Sequence, residues 1–260
     1  MTDWTTDRAA DALLDAEARR ADRGPLTDEW PDLDLRTAYE VQDRLVSRRV
    51  GAGEEVVGVK LGLTSRAEQQ RMGVDAPLTA WLTDAMVLPA GEPVPLDELI
   101  HPRVEPEIVF VLGRRLRGPG VTAATALAAV ESVHCGAEVI DSRYTDFRFA
   151  LPDVVADNAS AARVVLGSTG VPPAGLDLAL EACLLQVDGE VVDSATGAAV
   201  QGNPAEALAL AANALAERDL ALEPGWLVFT GGMTDAVPVT SGKQITAEFT
   251  RLGSVTVTGS

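Results

Sequence analysis

The chain has 260 residues, of which 47% are apolar and 23% are charged. This composition is typical of a soluble globular protein and excludes disordered, collagen-like and fibrous chains. Lys and Arg number 21 against 39 Asp and Glu, which gives a formal net charge of −18. Such an acidic surface repels phosphate, so we expect no nucleic-acid partner and no membrane partner. The length allows one large domain or two small ones.

The cysteines and the N-terminal sequence indicate the cellular compartment of the protein. Cys135 and Cys183 cannot form a disulfide framework, and they lack metal-ligand spacing. The N-terminal stretch MTDWTTDRAADALLDAEARR is interrupted by charges and has no apolar core of a signal peptide. No apolar run approaches the roughly 18 residues that a membrane span needs. We therefore expect a soluble protein of the reducing cytoplasm.

Two helices are predicted in the N-terminal part of the chain. In the first, Leu13 and several alanines recur at helical spacing, and Gly24-Pro25 should end it. The second should cover residues 35–49, with Asp34 as its N-cap. We expect residues 1–54 to form a small helical lobe that carries little chemistry.

The pattern changes to short β-branched runs after residue 54. An Asp-Gly pair within 187–191 predicts a tight hairpin, and helices are predicted over 121–133 and 204–217. Because strands and helices do not alternate regularly, an α+β domain of mixed β-structure over 55–260 fits better than a doubly wound sheet. The β-branched runs are 56–59, 108–112, 139–140, 164–166, 184–187, 227–229 and 254–257.

Two glutamates stand at the start of one predicted strand. Alternate side chains of a strand share a face, so Glu105 and Glu107 should point the same way. An apolar run follows them, and two buried like charges are costly. Either the strand start is exposed and both acids are solvated, or a divalent cation neutralises them, since hard cations prefer carboxylate oxygens. The residues alone leave these alternatives about equal.

Two further charged residues lie in apolar segments. Glu138 begins a short apolar segment and needs a partner there, which an acidic metal site would provide. Lys60 lies within an apolar strand, where burial could lower its pKa and make it a proton donor or base. A lysine that extends from a strand edge into solvent explains the same pattern equally well.

Several separate motifs, in the same order, resemble the fumarylacetoacetate hydrolase superfamily. More narrowly, they are similar to its branch of 2-hydroxypentadienoate hydratases and 2-oxo-3-hexenedioate (4-oxalocrotonate) decarboxylases. The resemblance extends from about residue 35 to the C-terminus. The motifs are VGVKLGLTSRAEQQRMGVDAP (57–77), HPRVEPEIVFVLGRRLRGPG (101–120), EVIDSRYTDFRF (138–149), DVVADNASAARVVLG (153–167), GAAVQGNPAEAL (197–208), VFTGGMTDAVPVTSG (228–242) and RLGSVTV (251–257).

The resemblance implies a mixed β-roll with a small N-terminal helical lobe, and a metal-dependent lyase. It makes Glu105, Glu107 and Glu138 the ligands of Mg²⁺ or Mn²⁺, and Lys60 an active-site lysine. The implied reaction is decarboxylation of 2-oxo-3-hexenedioate or a related 2-oxo acid to a 2-hydroxydienoate, with no organic cofactor. The alternative is a 2-hydroxypenta-2,4-dienoate hydratase. Leu78 favours the decarboxylase, because the hydratases usually have Asp at the corresponding position.

The remaining expectations concern substrate contacts and partners. The substrate is expected to be a dianionic 2-oxo dicarboxylate, and the protein a homo-oligomer that could also form a complex with a partner hydratase. A catalytically silent partner subunit is a further alternative. Asp141 and Asn158 are expected to be structural. The residues considered for substrate binding are Thr64, Ser65, Asp75, Leu78, Arg143 and Ser160. For Thr64, Ser65, Asp75 and Ser160, a turn or capping role is the alternative.

Overall fold

A computed structural model describes residues 4–74 and 76–260 of the chain. Helices and strands occur throughout this part. The α-helices are α1 (Thr6–Arg19), α2 (Leu26–Glu29), α3 (Leu35–Gly51), α4 (Arg66–Met72), α5 (Ala123–Leu127), α6 (Leu151–Ala156) and α7 (Pro204–Glu217). The strands are β1 (Val56–Gly62), β2 (Leu78–Thr83), β3 (Val87–Leu88), β4 (Arg103–Leu112), β5 (Val130–Ile140), β6 (Ala161–Leu166), β7 (Ala182–Val187), β8 (Glu190–Thr196), β9 (Leu227–Phe229), β10 (Val237–Pro238), β11 (Gln244–Phe249) and β12 (Gly253–Thr258).

The strands form two sheets. The larger sheet has the order β2-β1-β9-β4-β5-β6-β3, with β10 paired to β4, and it mixes parallel and antiparallel pairs. Strands β2 and β6 are far apart in this order yet contact each other, so the sheet curls into a roll. The smaller sheet has the order β12-β11-β7-β8 and is antiparallel. This is the expected α+β fold with a mixed β-roll.

The N-terminal helices pack against the roll. Helix α1 packs on α3, which in turn packs on α6. The side chain of Asp34 accepts a hydrogen bond from the backbone N–H of Thr37, so the predicted N-cap of α3 is confirmed. The predicted end of α1 at Gly24-Pro25 is wrong. The helix ends at Arg19, because Arg20 adopts the left-handed conformation (φ 53°) that glycine more commonly supplies at a helix end.

Other predictions of local structure have mixed outcomes. The hairpin is confirmed, since Asp188 and Gly189 have positive φ and join β7 to β8. The helix over 204–217 is confirmed as α7, with Asn203 as its N-cap. The helix over 121–133 is wrong beyond residue 127. The chain enters β5 at Val130, where pairing with β4 overrides the helical spacing of the apolar residues.

The inner face of the roll contains the chemically important side chains. Val109 and Phe229 lie there in a small apolar cluster, and a Cβ on Gly136 would collide with both. Because side chains alternate along a strand, the register extends this face along each strand. The residues on the inner face are Gly58, Lys60 and Gly62 of β1, Leu78, Ala80 and Leu82 of β2, Glu105, Glu107 and Val109 of β4, Gly136 and Glu138 of β5, Val164 of β6 and Phe229 of β9.

In the part of the chain that the structure describes, no helix combines the length and the apolar character that crossing a bilayer requires.

Candidate active site

The pairing of two central strands brings three carboxylates together. Glu105 of β4 lies directly opposite Glu138 of β5, and Glu107 lies opposite Gly136. One carboxylate oxygen from each glutamate lies within 4.8 Å of those from the other two. Glu107 and Glu138 are fully buried, and Glu105 is partly exposed. The sequence suggested that the strand start could be exposed, with both acids solvated. This is wrong for Glu107, which has no exposed surface.

Some of the buried oxygens of this cluster lack hydrogen-bond donors. Among the described side chains, Oε1 of Glu107 and Oε2 of Glu138 accept no hydrogen bond, and Oε1 of Glu138 has the Lys60 ammonium as its neighbour. Buried carboxylate oxygens without donors are costly. Oxygen ligands in such an all-carboxylate set are what hard divalent cations prefer. The residues present therefore fit a divalent metal ion, which would satisfy the unpaired oxygens.

A glycine pair after β9 encloses the cluster. The backbone N–H of Gly231 donates a 2.7 Å hydrogen bond to Oε2 of Glu107. A Cβ on Gly231 would lie 2.0 Å from Oγ1 of Thr64, and one on Gly232 would lie 2.4 Å from Oε2 of Glu105. Only glycine fits at this close approach. Sequence reasoning did not assign a role to this pair, although Gly-Gly directly after a buried strand is a signal of close backbone contact.

Lys60 lies against the carboxylates. Its Nζ is 3.0 Å from Oε1 of Glu138, and the residue is only 4% exposed. Burial lowers the pKa of Lys60, but the carboxylates of Glu138, Glu105 and Glu107 raise it more, so the pKa lies above the usual value for lysine. The expectation that burial lowers this pKa is therefore wrong, as is the alternative of a lysine reaching into solvent. Lys60 is a buried ammonium group.

The pKa of Glu107 is raised well above its usual value. Burial is the largest cause, and the carboxylates of Glu138 and Glu105 raise it further. The hydrogen bond from Gly231 acts in the opposite direction but does not compensate. A divalent cation would reverse this effect by stabilising the ionised form.

Thr64 and Leu78 both lie near the carboxylate cluster. Thr64 is buried and contacts Gly231, as described above. Leu78 is buried and pairs with Gly62 on the inner face, so it adds an apolar wall. Ser65 directly precedes α4, and its carbonyl accepts a hydrogen bond from Gln69. Asp75 lies outside the described residues.

Arg143 and Ser160 stabilise the loop that connects β5 to β6. The guanidinium of Arg143 is buried, pairs with the Asp157 carboxylate and donates to the backbone oxygens of Asp141 and Asp157. The Ser160 hydroxyl also donates to the Asp157 carboxylate, at 3.2 Å. These contacts hold the loop together, and substrate binding by Arg143 and Ser160 stays a prediction.

Asp141 and Asn158 have the structural roles expected for them. The Asp141 carboxylate accepts hydrogen bonds from the backbone N–H groups of Ile100 and His101. The Asn158 side chain pairs with both backbone groups of Trp81. The two residues therefore fix the segments that lead into β4 and along β2.

Gln201 is a buried polar residue that sequence reasoning missed. Its side-chain nitrogen has no hydrogen-bond partner among the described residues, and its backbone is left-handed (φ 52°). Its backbone N–H donates to the carbonyl of Thr64, which places it next to the threonine that contacts Gly231. The only signal in the sequence is a polar residue after the apolar run 198–200.

Comparison with known proteins agrees with this geometry. The model of the fumarylacetoacetate (FAA) hydrolase C-terminal family matches residues 55–258. A 4-oxalocrotonate decarboxylase of Pseudomonas sp. (strain CF600) is 42% identical over 246 residues, which cover 95% of this chain and 93% of that protein. A 2-hydroxypent-2,4-dienoate hydratase of Pseudomonas putida is 43% identical over 206 residues, covering 79% of this chain and 93% of that protein.

A solved structure resembles the whole fold. The 4-oxalocrotonate decarboxylase from Pseudomonas putida G7, complexed with magnesium and adipate, superposes with a TM-score of 0.95 and 38% identity. The match covers 98% of this chain and 97% of that one, and another structure of the same enzyme contains calcium and acetate. The chain therefore belongs to the fumarylacetoacetate hydrolase family, in the branch that contains 4-oxalocrotonate decarboxylases and 2-hydroxydienoate hydratases.

Proposed function

We propose that the protein is a divalent-metal-dependent decarboxylase of 2-oxo-3-hexenedioate or a closely related 2-oxo dicarboxylate. It would release the carboxylate far from the oxo group as CO₂ and form a 2-hydroxydienoate. The observation that carries the proposal is the cluster of Glu105, Glu107 and Glu138 against Lys60 on the inner face of the roll. The similarity to 4-oxalocrotonate decarboxylases over most of the chain supports it.

The three glutamates would hold Mg²⁺ or Mn²⁺, since an all-oxygen site accepts either ion. When bound, the cation would supply Lewis acidity at the 2-oxo oxygen of the substrate. The Gly231 N–H keeps one oxygen of Glu107 fixed, so the other oxygen is free to act as a ligand. No organic cofactor is needed, because the conjugated 2-oxo acid accepts the electrons of the breaking bond itself.

Lys60 would stabilise the charge that develops on the substrate. Its ammonium group is buried and adjoins the carboxylate cluster, with Nζ 3.0 Å from Oε1 of Glu138. It can therefore donate a hydrogen bond to the 2-oxo oxygen as that oxygen becomes an enolate. It also adds positive charge to a site that must attract a dianion in a protein of net charge −18.

Leu78 favours decarboxylation over hydration. It is 3% exposed and faces Gly62 on the inner face. Its apolar side chain offers no group that could activate water for hydration. The hydratase reaction on 2-hydroxypenta-2,4-dienoate remains the second candidate, because a hydratase is 43% identical over 79% of this chain.

The proposal is tested by supplying the purified protein with 2-oxo-3-hexenedioate and Mg²⁺ or Mn²⁺ and measuring CO₂ release. We expect release that needs the metal and is lost in E107Q and K60M. Hydration of 2-hydroxypenta-2,4-dienoate is measured in parallel. Rapid hydration without CO₂ release would instead identify a hydratase.

A silent partner subunit predicts a different result. Such a protein would bind no divalent ion after gentle purification and would gain no thermal stability on addition of Mg²⁺. The presence of all three glutamates and Lys60 argues against it, because a subunit without chemistry has no use for buried charges that are costly to keep.

We also propose that the protein assembles as a homo-oligomer, and that a complex with a partner hydratase would receive its 2-hydroxydienoate product. Apolar side chains exposed beside the edge of the smaller sheet support an assembly. Leu184 is 41%, Val191 57% and Val192 51% exposed.

A further inference from the structure

Arg103 lies on the same face of β4 as two of the clustered carboxylates. Residues 103, 105 and 107 alternate with the buried residues of the other face and therefore point the same way. Arg103 is the first residue of β4 and pairs with Ile140, the last residue of β5. We call this end of the two strands, marked by Arg103 and Ile140, the mouth of the roll. Arg103 thus lies at the mouth, two residues along β4 from Glu105 of the carboxylate cluster.

The guanidinium of Arg103 has no acidic partner among the side chains that the structure describes, and within that set it makes no hydrogen bond or ion pair. The contact it does make is with the ring of Phe147, whose centroid is 4.3 Å from the guanidinium carbon. A cation–π contact orients the group without cancelling its charge. By contrast, the buried Arg143 pairs with Asp157. An uncompensated, half-buried cation is notable in a chain of net charge −18.

Phe147 is held in place at a cost to its backbone. Asp146 and Phe147 both adopt left-handed conformations, with φ of 56° and 55°. On such residues this conformation is strained, and strain of this kind concentrates at ligand sites. The His101 ring also packs on Phe147, at 4.8 Å between centroids, and its Nε2 bonds to the carbonyl of Ser142. The surroundings therefore fix the ring on which Arg103 rests.

We infer that Arg103, oriented by Phe147, binds the carboxylate of the substrate that lies far from the metal and so selects dicarboxylates. This inference rests on the proposed function, which places the other end of the substrate at the glutamate cluster. Two residues of a strand span about 7 Å. The two carboxyl groups of an extended six-carbon dicarboxylate, five carbon–carbon bonds apart, span a comparable length.

The chemistry of the reaction gives this contact a kinetic signature. The bond between C5 and C6 breaks, its electron pair moves through the C3–C4 double bond to the 2-oxo oxygen, and C6 leaves as neutral CO₂. The bound carboxylate is thus charged in the ground state and loses its charge in the transition state. Arg103 therefore binds the substrate more strongly than the transition state, so removing it should raise KM without lowering kcat.

Two saturated ligands isolate the second carboxylate. Adipate and hexanoate have the same chain length and differ only in that group, so their affinities are compared by calorimetry on the Mg²⁺-loaded protein. For R103Q we expect about a tenfold loss of adipate affinity, the size expected for a hydrogen bond to a charged group. Hexanoate affinity should not change. R103K should retain part of the adipate preference, because it keeps the charge but loses the planar fork.

Arg148 provides the matched control. It is exposed on the same loop, so R148Q removes one positive charge without touching the inner face, and adipate should bind as in the wild type. Equal losses for adipate and hexanoate in R103Q, or an unchanged adipate affinity, would overturn the inference, as would a wild-type protein that prefers neither ligand. If CO₂ is released with the same KM by R103Q and by the wild type, the inference fails while the proposed function stands. If the wild type releases no CO₂ but prefers adipate through Arg103, only the proposed function fails.

Discussion

Protons and a divalent cation compete for the same carboxylates. In the structure, burial and the neighbouring acids raise the pKa of Glu107, so it retains a proton at pH values where an exposed glutamate is ionised. Lys60 compensates the charge of Glu138 by direct contact. The cluster can therefore exist in two forms, one protonated and one that binds a metal ion.

This competition predicts that Mg²⁺ binding releases protons. A carboxyl group with a raised pKa must ionise before it can act as a ligand, so the apparent affinity should rise with pH and level off above the pKa of Glu107. Calorimetry in two buffers with different ionisation enthalpies measures the released protons. Glu131 lies on β5 but is exposed, so E131Q should behave as the wild type. A binding enthalpy independent of the buffer would contradict the prediction.

Gly231 gives a second prediction for a single residue. In G231A the new Cβ would lie 2.0 Å from the Thr64 hydroxyl, at a φ of +113° that alanine rarely adopts. The backbone must move, and Glu107 loses the N–H that orients it. We expect Mg²⁺ to bind at least about tenfold more weakly, since hydrogen bonds to charged groups contribute about 1.5–3 kcal/mol.

The control for G231A separates a clash from backbone strain. Gly91 also has a positive φ of +92°, but a Cβ there would meet nothing within 4 Å. G91A should therefore lose some stability and keep its Mg²⁺ affinity. Equal affinities in G231A and the wild type would show that this loop does not position Glu107.

At the scale of elements, the segment between β5 and β6 depends on one buried ion pair. Asp157 accepts from the guanidinium and the backbone N–H of Arg143 and from Ser160. Burial raises the pKa of Asp157 to about 6, although Arg143 acts to lower it. Residues 158–160 all have positive φ, so this ion pair holds a strained turn directly before β6.

Removing one member of this pair should lower the free energy of unfolding of the protein. D157N leaves the buried Arg143 guanidinium without its paired carboxylate, and breaking a buried pair typically costs about 3–5 kcal/mol. Urea unfolding measures the change in the free energy of unfolding. Asp43 pairs with Arg218 at the surface, so D43N should have little effect. Equal midpoints for D157N and D43N would refute the structural role of the pair.

Elements with a local signal are those that the sequence predicts well. Asp34 marks the start of α3 and the Asp-Gly turn marks the β7–β8 hairpin, and both signals act within a few residues. The end of α1 and the change from α5 to β5 have no such signal. The end of α1 depends on the left-handed backbone conformation of Arg20. The change from α5 to β5 depends on pairing with β4, a strand that is distant in the chain.

For the whole molecule, the sequence predicts the residues of the site better than their contacts. The motifs single out Glu105, Glu107, Glu138 and Lys60, but their meeting depends on how the strands pair in the sheet, which spacing along the chain cannot specify. The pairing of Arg143 with Asp157 likewise depends on the path of the loop between β5 and β6. The division into 1–54 and 55–260 stays a prediction, and α3 of the first part packs on α6 of the second.

The exposed edge of the smaller sheet leads to a prediction about assembly. Val191 lies on β8, an edge strand, and such exposed apolar edges are typical interaction sites. If this surface joins protomers, V191E should reduce the oligomer mass measured by sedimentation. Val50 is 46% exposed on α3, so V50E serves as the control and should leave the mass unchanged. An unaltered mass in V191E would exclude β8 from the interface.

The direct pairing of Glu105 with Glu138 has a consequence for how the protein can vary. A slip of one residue between β4 and β5 would turn one of these side chains to the opposite face of the sheet. An insertion or deletion in either strand would therefore abolish ion binding even if the fold survived. Tolerated length changes should be confined to the connections outside these two strands. Relatives that keep the reaction should therefore also keep the register between β4 and β5.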